Sequence, residues 1–335
     1  MLIKVSAGNS VMQGLLARQT PGRTMRWGDK TFFFNDEYDY CDWWFVLHFS
    51  GLTQSETVNC DPSHTVLVTM EPRAWGRPVP YCQQFASIVT CDSGLNHPSL
   101  ILRNGITWWA GINVEFKSGH VFSPSINQDF DGFMSMAPPF KKNRVSLITS
   151  LKTSFPGHKK RLRFVNRLRR HPIAERIDFF GGQNPVQDKL QGLLDYKYHI
   201  AIENSRLPHY WSEKIADPYL AYSLPIYAGC PNVADYFPAD SYLPINLDDF
   251  DAAVETIRQC LNQDEHTRRM PAIREARNRV LMNYNIFELM ASISERPAQS
   301  LLPCTLRPYT EFEPRRPAWI SGLKSLMRSF PPRRA

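Results

Sequence analysis

Short apolar runs of strand length, separated by helix-forming stretches, constrain this chain most. The clearest run is HTVLVTMEP (His64 to Pro72), where Val66, Leu67 and Val68 make a β-branched-rich core strand and Pro72 stops its ladder. MLIKVSA, TFFF, CDWWFVLHF (Cys41 to Phe49), ASIVTCD, VSLIT, RIDFFGG, YKYHIAIEN (Tyr196 to Asn204), LPIYAG and SYLPI read as further strands. Between them lie helical patterns. GHKKRLRFVNRLRRHP is a basic amphipathic helix with Leu162, Phe164, Val165 and Leu168 inward. SEKIADPYLAYS is a helix with Pro218 as a kink point, and DDFDAAVETIRQCL is a helix capped by Asp248 or Asp249. NVADYFP reads as a helical turn, 265–300 as one or two helices, and the Gly- and aromatic-rich 105–130 as mostly loop. Strands alternating with helices predict an α/β architecture with parallel sheets. A composition shift near 130–145 divides the 335 residues into two α/β units of nucleotide-binding type.

Composition removes several classes. With 43% apolar residues the chain is not globally disordered. Its seven cysteines are odd in number and never fall at C-x2-C or C-x4-C spacing, so buried free thiols are expected rather than a zinc site. The N-terminus is too polar for a signal peptide, and no run approaches the ~20 apolar residues of a spanning helix. A location in the cytoplasm, or on the cytoplasmic face of a membrane, follows as an expectation. The net charge is +7, but Arg315, Arg316, Lys324, Arg328, Arg333 and Arg334 supply six of those charges with no acid among 315–335. The body is nearly neutral, which weakens a nucleic-acid reading. Residues 141–171 carry eleven Lys/Arg and no Asp or Glu, read as a solvated helix face or one meeting anionic partners. G-x-G-x-x-G after a strand, the P-loop, H-E-x-x-H and G-x-S-x-G are all absent.

The dense polar constellation lies between Tyr196 and Phe250. The strand HIAIEN delivers Glu203 and Asn204 at its C-terminal end, where open α/β sheets bind ligands. His209 and Tyr210 follow in a loop, and the next helix opens with Ser212, Glu213 and Lys214. A helix N-terminus attracts phosphate, and Lys214 adds a mobile positive charge. Glu213 either satisfies the helix dipole or holds a ribose or sugar hydroxyl. Asn204 either caps the loop or positions a hydroxyl. Arg161 opens the basic helix after a Pro-Gly turn, where a planar guanidinium suits a pyrophosphate. Trp43-Trp44 and Trp108-Trp109 are either a sugar platform or pairs split between core and surface.

The stretch resembles the donor-binding signature of the α-1,3/4-fucosyltransferases, glycosyltransferase family 10, in its bacterial-type branch. The matching segments are Ile202-Glu203-Asn204, Tyr210-Trp211-Ser212-Glu213-Lys214, Tyr222 to Gly229, Asn232 to Pro238, and Asp249-Phe250. Departures are Ile202 for the family's Phe, Trp211 for a frequent Val, and an upstream Ser-Asn/Cys segment present only as Thr149-Ser150 and Ser154. The resemblance implies a GT-B-like fold of two Rossmann-like α/β domains facing an interdomain cleft. Residues 1–140 would bind the acceptor, 141–300 the nucleotide sugar, and 301–335 would be a basic amphipathic tail. It implies an inverting, metal-independent transfer of L-fucose from GDP-fucose, with no further cofactor, to an N-acetylglucosamine-type glycan of a surface polysaccharide or lipopolysaccharide. Arg161, Tyr210, Glu213 and Lys214 would contact the donor, with Glu203 and Asn204 beside them, and Glu71 would be the base. Another nucleotide-sugar donor, a non-catalytic nucleotide- or glycan-binding module and a nucleic-acid protein are the competing readings.

In the tail, Trp319, Ile320, Leu323, Leu326, Met327 and Phe330 share one helical face, and Pro331-Pro332 stops the pattern. Such a helix either lies in a membrane interface or packs on the body. Deleting 315–335 is expected to release the protein from anionic vesicles while sparing transfer to a soluble acceptor. Undiminished vesicle binding after the deletion, measured by co-sedimentation, rejects the anchor.

Overall fold

The structure is a computed structural model that describes residues 1–8, 10–34, 37–69, 79–105, 107–117, 120–182 and 184–312. Glu71 and the amphipathic tail helix lie outside the described residues.

The chain opens with β1 (Leu2–Ser6), α1 (Ser10–Ala17), β2 (Arg26–Trp27), β3 (Lys30–Phe33), β4 (Trp43–Leu47) and β5 (Glu56–Cys60). It continues through β6 (Thr65–Val68), α2 (Val79–Cys82), β7 (Ser87–Thr90) and β8 (Leu100–Leu102). These build a seven-stranded sheet in the order β2-β3-β1-β4-β6-β7-β8, with β5 outside it. Only β2 runs antiparallel to its neighbour within that sheet. The expected strands appear because Val5, Phe45, Val46, Val66, Leu67 and Val89 are all sealed from solvent, as strands with both faces covered require.

Residues 105–130 differ from the expected loop. β9 (Ile112–Lys117) and β10 (His120–Ile126) pair as an antiparallel hairpin, followed by α3 (Phe130–Ser135). INVEFK alternates with period two, a pattern hidden in the sequence by the glycines around it.

The second sheet contains β11 (Lys142–Ile148), β12 (Ile177–Phe180), β13 (Tyr196–Ile202), β14 (Leu224–Ala228) and β15 (Leu243–Pro244). Its order is β12-β11-β13-β14-β15, and every pairing is parallel. Between these strands and after them run α4 (Pro156–Arg170), α5 (Glu213–Leu220), α6 (Phe250–Gln263), α7 (Glu265–Arg268), α8 (Met270–Met282) and α9 (Ile286–Ile293). Asp249 caps α6 by accepting from the Ala252 N–H at 3.1 Å, while Asp248 pairs with Lys160. In α4 the buried face is His158, Arg161, Phe164, Val165 and Leu168. Arg161 is thus buried and Leu162 only partly so, the reverse of what hydropathy predicts. The opposite face, with Lys159, Arg163, Arg167, Arg169 and Arg170, is exposed.

Both sheets are wound alike. The strands after β1 are added first on one side (β3) and then on the other (β4), and β11 is flanked in the same way by β12 and β13. That reversal opens a crevice beyond the strand C-termini, between β1 and β4 and between β11 and β13.

The chain then returns to the first unit. Ile286, Phe287, Leu289 and Met290 of α9 pack into one core of the first sheet with Ile3, Phe45 and Val66. Residues 302–306, expected as the start of the tail, form β16 (Leu302–Leu306), antiparallel to β5. Leu306, Tyr309 and Phe312 close the opposite core with Trp44, Phe49 and Tyr81. LPCTL lacks the period of a helix and satisfies its backbone along β5. The units are also tied by Arg18, whose buried guanidinium donates to the carbonyls of Trp108 (2.5 Å), Ala110 (3.0 Å) and Gln128 (2.9 Å). The cysteines are free thiols, with Cys41, Cys60, Cys82, Cys230 and Cys260 buried.

One close approach sets the second crevice. The first turn of α4 lies so near the exit of β13 that a Cβ on Gly157 would stand 1.7 Å from the Asn204 carbonyl oxygen. Gly157→Ala is expected to cost about 1–3 kcal/mol in denaturant unfolding, by overpacking. An unchanged midpoint would show that the approach is looser than described.

Candidate functional site

The two crevices face one another and merge into a single cleft of about 1080 Å³. Ala7, Gly8, Leu47 and His48 line it from the ends of β1 and β4. Thr149, Ser150, Arg161, Asn204, Tyr210, Glu213 and Lys214 line it from the second unit. His48 holds a left-handed backbone, φ 66°, costly for a side chain with a Cβ.

Arg161 reaches the crevice from the second turn of α4. Its Nη1 donates to Asn204 Oδ1 at 2.5 Å, and its Nη2 donates to Ser150 O and Oγ, each at 3.2 Å. Burial lowers its pKa, opposed by Glu203 and Tyr210. The remaining donor, Nε, is buried without a hydrogen-bond partner among the described residues. Asn204 is therefore oriented by Arg161, and the two present one polar edge to the cleft.

The N-terminus of α5 is assembled by Glu203. This carboxylate has no exposed surface; Oε1 accepts from the Ser212 N–H at 2.8 Å and Oε2 from the Ser212 hydroxyl at 2.7 Å. Ser212 thus becomes the N-cap of α5 while anchored from below. Lys214 Nζ lies 3.6 Å from Glu203 Oε2 and 3.2 Å from Glu213 Oε1, and donates to Ser212 Oγ at 3.1 Å. Glu203 lies behind Lys214 rather than in the cleft. Burial pushes its carboxyl upward against the pull of Lys214. Burial also opposes the Glu213 charge, but Lys214 and Lys189 outweigh it and hold that carboxyl well below the usual range. Gly229 makes room for this arrangement, since a Cβ there would stand 2.4 Å from Glu203 Cγ.

Two partners gave no sequence signal. Lys189 Nζ bridges Asp217 Oδ2 (2.9 Å) and Glu213 Oε1 (3.4 Å). Burial works against this ammonium, but Asp217 and Glu213 outweigh it and raise its pKa. Asp217 Oδ1 in turn accepts from the Trp109 N–H at 3.1 Å, and Asn104 Nδ2 donates to Trp211 O at 2.7 Å, which fixes the segment between the units against α5. These residues lie far apart in sequence, and no local spacing marks them.

The aromatic pairs split as one alternative had them. Trp44 and Trp108 are buried, whereas Trp109 lines the cleft and Trp43 is partly exposed, stacked on His64. Tyr210 is almost fully buried at the cleft wall. His209 belongs to its turn: its Nδ1 meets the Tyr236 hydroxyl at 2.6 Å, and its N–H donates to Asn232 Oδ1 at 2.8 Å. Among the described residues no group of three or more His, Cys, Asp or Glu is placed to hold a metal ion, and no helix is long and apolar enough to cross a membrane.

The arrangement gathers cations, polar donors and the starts of α4 and α5 around one crevice, a setting suited to a phosphorylated ligand. Residues 140–271 match the glycosyltransferase family 10 (fucosyltransferase) C-terminal domain. The chain is 35% identical over 74 residues to the α-(1,3)-fucosyltransferase FucT of Helicobacter pylori, covering 22% of this chain and 16% of that one. It is 31% identical over 140 residues to α-(1,3)-fucosyltransferase 4 of Rattus norvegicus, covering 39% of this chain and 31% of that one. The chain thus matches less than a third of the length of either relative. A crystal structure of an α1,3-fucosyltransferase with GDP superposes with a TM-score of 0.47 at 17% identity, covering 86% of this chain and 92% of that one. The matched residues 140–271 hold the start of α4, the exit of β13 and α5.

Proposed function

We propose that this chain transfers L-fucose from GDP-fucose to a hydroxyl of an N-acetylglucosamine-type glycan, with inversion at the anomeric carbon. The observation that carries this reading is the crevice between β11 and β13, where Arg161, Lys214 and the N-termini of α4 and α5 converge. A nucleoside diphosphate is the ligand class such a site suits best. The GDP-fucose of the reading comes from the resemblance of Tyr196 to Phe250 to the fucosyltransferase signature, and two relatives are named α-(1,3)-fucosyltransferases.

In this reading the second unit takes the donor. The first unit, completed by α9 and β16, takes the acceptor. Arg161 and Lys214 offset the charge that grows on the diphosphate as its bond to the sugar breaks, the role a divalent metal plays in other transferases. Both are held in advance, Arg161 by Asn204 and Ser150, Lys214 by Glu203, Glu213 and Ser212, so little reorganisation is needed. Glu71 receives the acceptor proton. It follows by three positions the end of β6 at Val68, whose neighbour β4 ends at the cleft-lining Leu47 and His48. The acceptor is a surface polysaccharide or lipopolysaccharide chain assembled at the cytoplasmic face of a membrane, which the basic tail approaches.

A screen of GDP-, UDP-, dTDP- and CMP-sugars with EDTA present tests the reading. Turnover is expected with GDP-fucose alone; turnover with another donor moves the sugar assignment, and dependence on added metal removes the metal-free mechanism. A charged hydrogen bond contributes roughly 1.5–3 kcal/mol, so Lys214→Ala should weaken donor binding or transfer about ten- to a hundredfold. Unaltered kinetics in that variant would free Lys214 of the role. Glu71→Gln is expected to bind GDP normally and lose turnover; retained turnover would remove Glu71 as the base.

A further inference from the structure

The first turn of α4 carries a group that neither the sequence pattern nor the transfer chemistry above has used. His158 is buried to 7% exposure, and it lines the cleft beside Arg161. Its Nδ1 is sealed from solvent and has no hydrogen-bond partner among the described residues. An imidazole nitrogen left unpaired at that depth is costly unless a ligand supplies its partner. The N-cap position of that helix, Phe155, is not one whose side chain caps, and Pro156 has no N–H to give.

The charged groups that face His158 are all positive. Arg161 stands one turn along α4, Lys152 comes from the loop after β11, and Lys214 comes from α5. Phe155 places its ring 5.3 Å away in an edge contact. Burial, and then these three cations, lower the His158 pKa, so the ring is neutral at neutral pH while the cleft is empty of anion. A diphosphate reverses both conditions. It offers an acceptor to Nδ1, and its negative charge outweighs the cations that kept the ring neutral.

We propose that the His158 ring turns Nδ1 from its sealed position onto the diphosphate of the donor and takes up a proton from solvent as the nucleotide enters. The proposal rests on the nucleotide-binding reading of this cleft. The proton stays on His158 through transfer, so the imidazolium adds a third cation beside Arg161 and Lys214. The acceptor's proton still leaves by the base of the first unit. The sign follows from linkage. Binding favours the protonated ring, so donor affinity falls as pH rises through the raised pKa of the complex.

Titration calorimetry with GDP and the full chain, near pH 7 in buffers of different ionisation enthalpy, reads the proton directly. Wild type is expected to take up roughly half a proton or more per GDP bound. His158→Asn, which keeps a neutral amide close to the Nδ1 position, should bind GDP about tenfold more weakly and lose that uptake. The phosphate ionisation of GDP itself is common to both proteins and cancels in the difference. Equal uptake in the two overturns the proposal, because a residue that merely packs α4 would not move a proton count. Absence of GDP binding by wild type that still melts cooperatively overturns the nucleotide reading, and this inference with it. Should the variant unfold, imidazole titration by NMR in wild type decides: one histidine must gain pKa when GDP is added, and a set of histidines unmoved by GDP overturns the proposal.

Discussion

The approach of the first turn of α4 to the exit of β13 is the constraint on which the second unit's cleft depends. Gly157 permits it, because any side chain there would meet the Asn204 carbonyl. Once the backbones are that close, Arg161 reaches Asn204 and Ser150 together and draws three segments of chain to one point. The price is a guanidinium buried among backbone and amide groups with its Nε unpaired. Such a group lowers stability on its own, and its retention at a crevice fits a ligand more readily than it fits packing.

The acids of the site act mainly on its cations. Glu203 lies beneath Ser212 and Lys214, Glu213 lies between Lys214 and Lys189, and Asp217 ties Lys189 to the Trp109 backbone. Buried carboxylates are tolerated here because each has an ammonium or a hydrogen-bond donor within reach. The consequence is a row of positive groups whose positions are fixed before any anion arrives. Arg161 sits on α4 and Lys214 on α5, and both helices start at the same crevice. The charge and the helix dipoles then act in one direction.

Much of this was legible in order along the chain. The strand HIAIEN had to end at Glu203 and Asn204, and Ser212 before Glu213-Lys214 had to open a helix, because short-range pattern and capping chemistry are local. Arg161, Asn204, Tyr210, Glu213 and Lys214 line one cleft. Other features were not legible. Leu162 was expected inward, but the buried face of α4 includes His158 and Arg161 in its place, since hydropathy cannot register that a charged side chain finds Asn204 across the crevice. Lys189 and Asp217 carry no motif, and their pairing exists only after β13 and α5 are packed. The return of α9 and β16 to the first unit was equally hidden, because Leu306 shares a core with Val58 and Tyr81 from the opposite end of the chain.

The sequence by itself determined the α/β class, the parallel strands and the N-cap of α5. Each follows from hydrophobic period, turn residues and neighbours a few positions apart. Only the tertiary structure decided which face of α4 is buried, that Glu203 supports Lys214 from beneath, and that the two crevices open toward one another. Those outcomes depend on distances between segments dozens to hundreds of residues apart. They are set by strand order and close backbone approach, which no local pattern encodes.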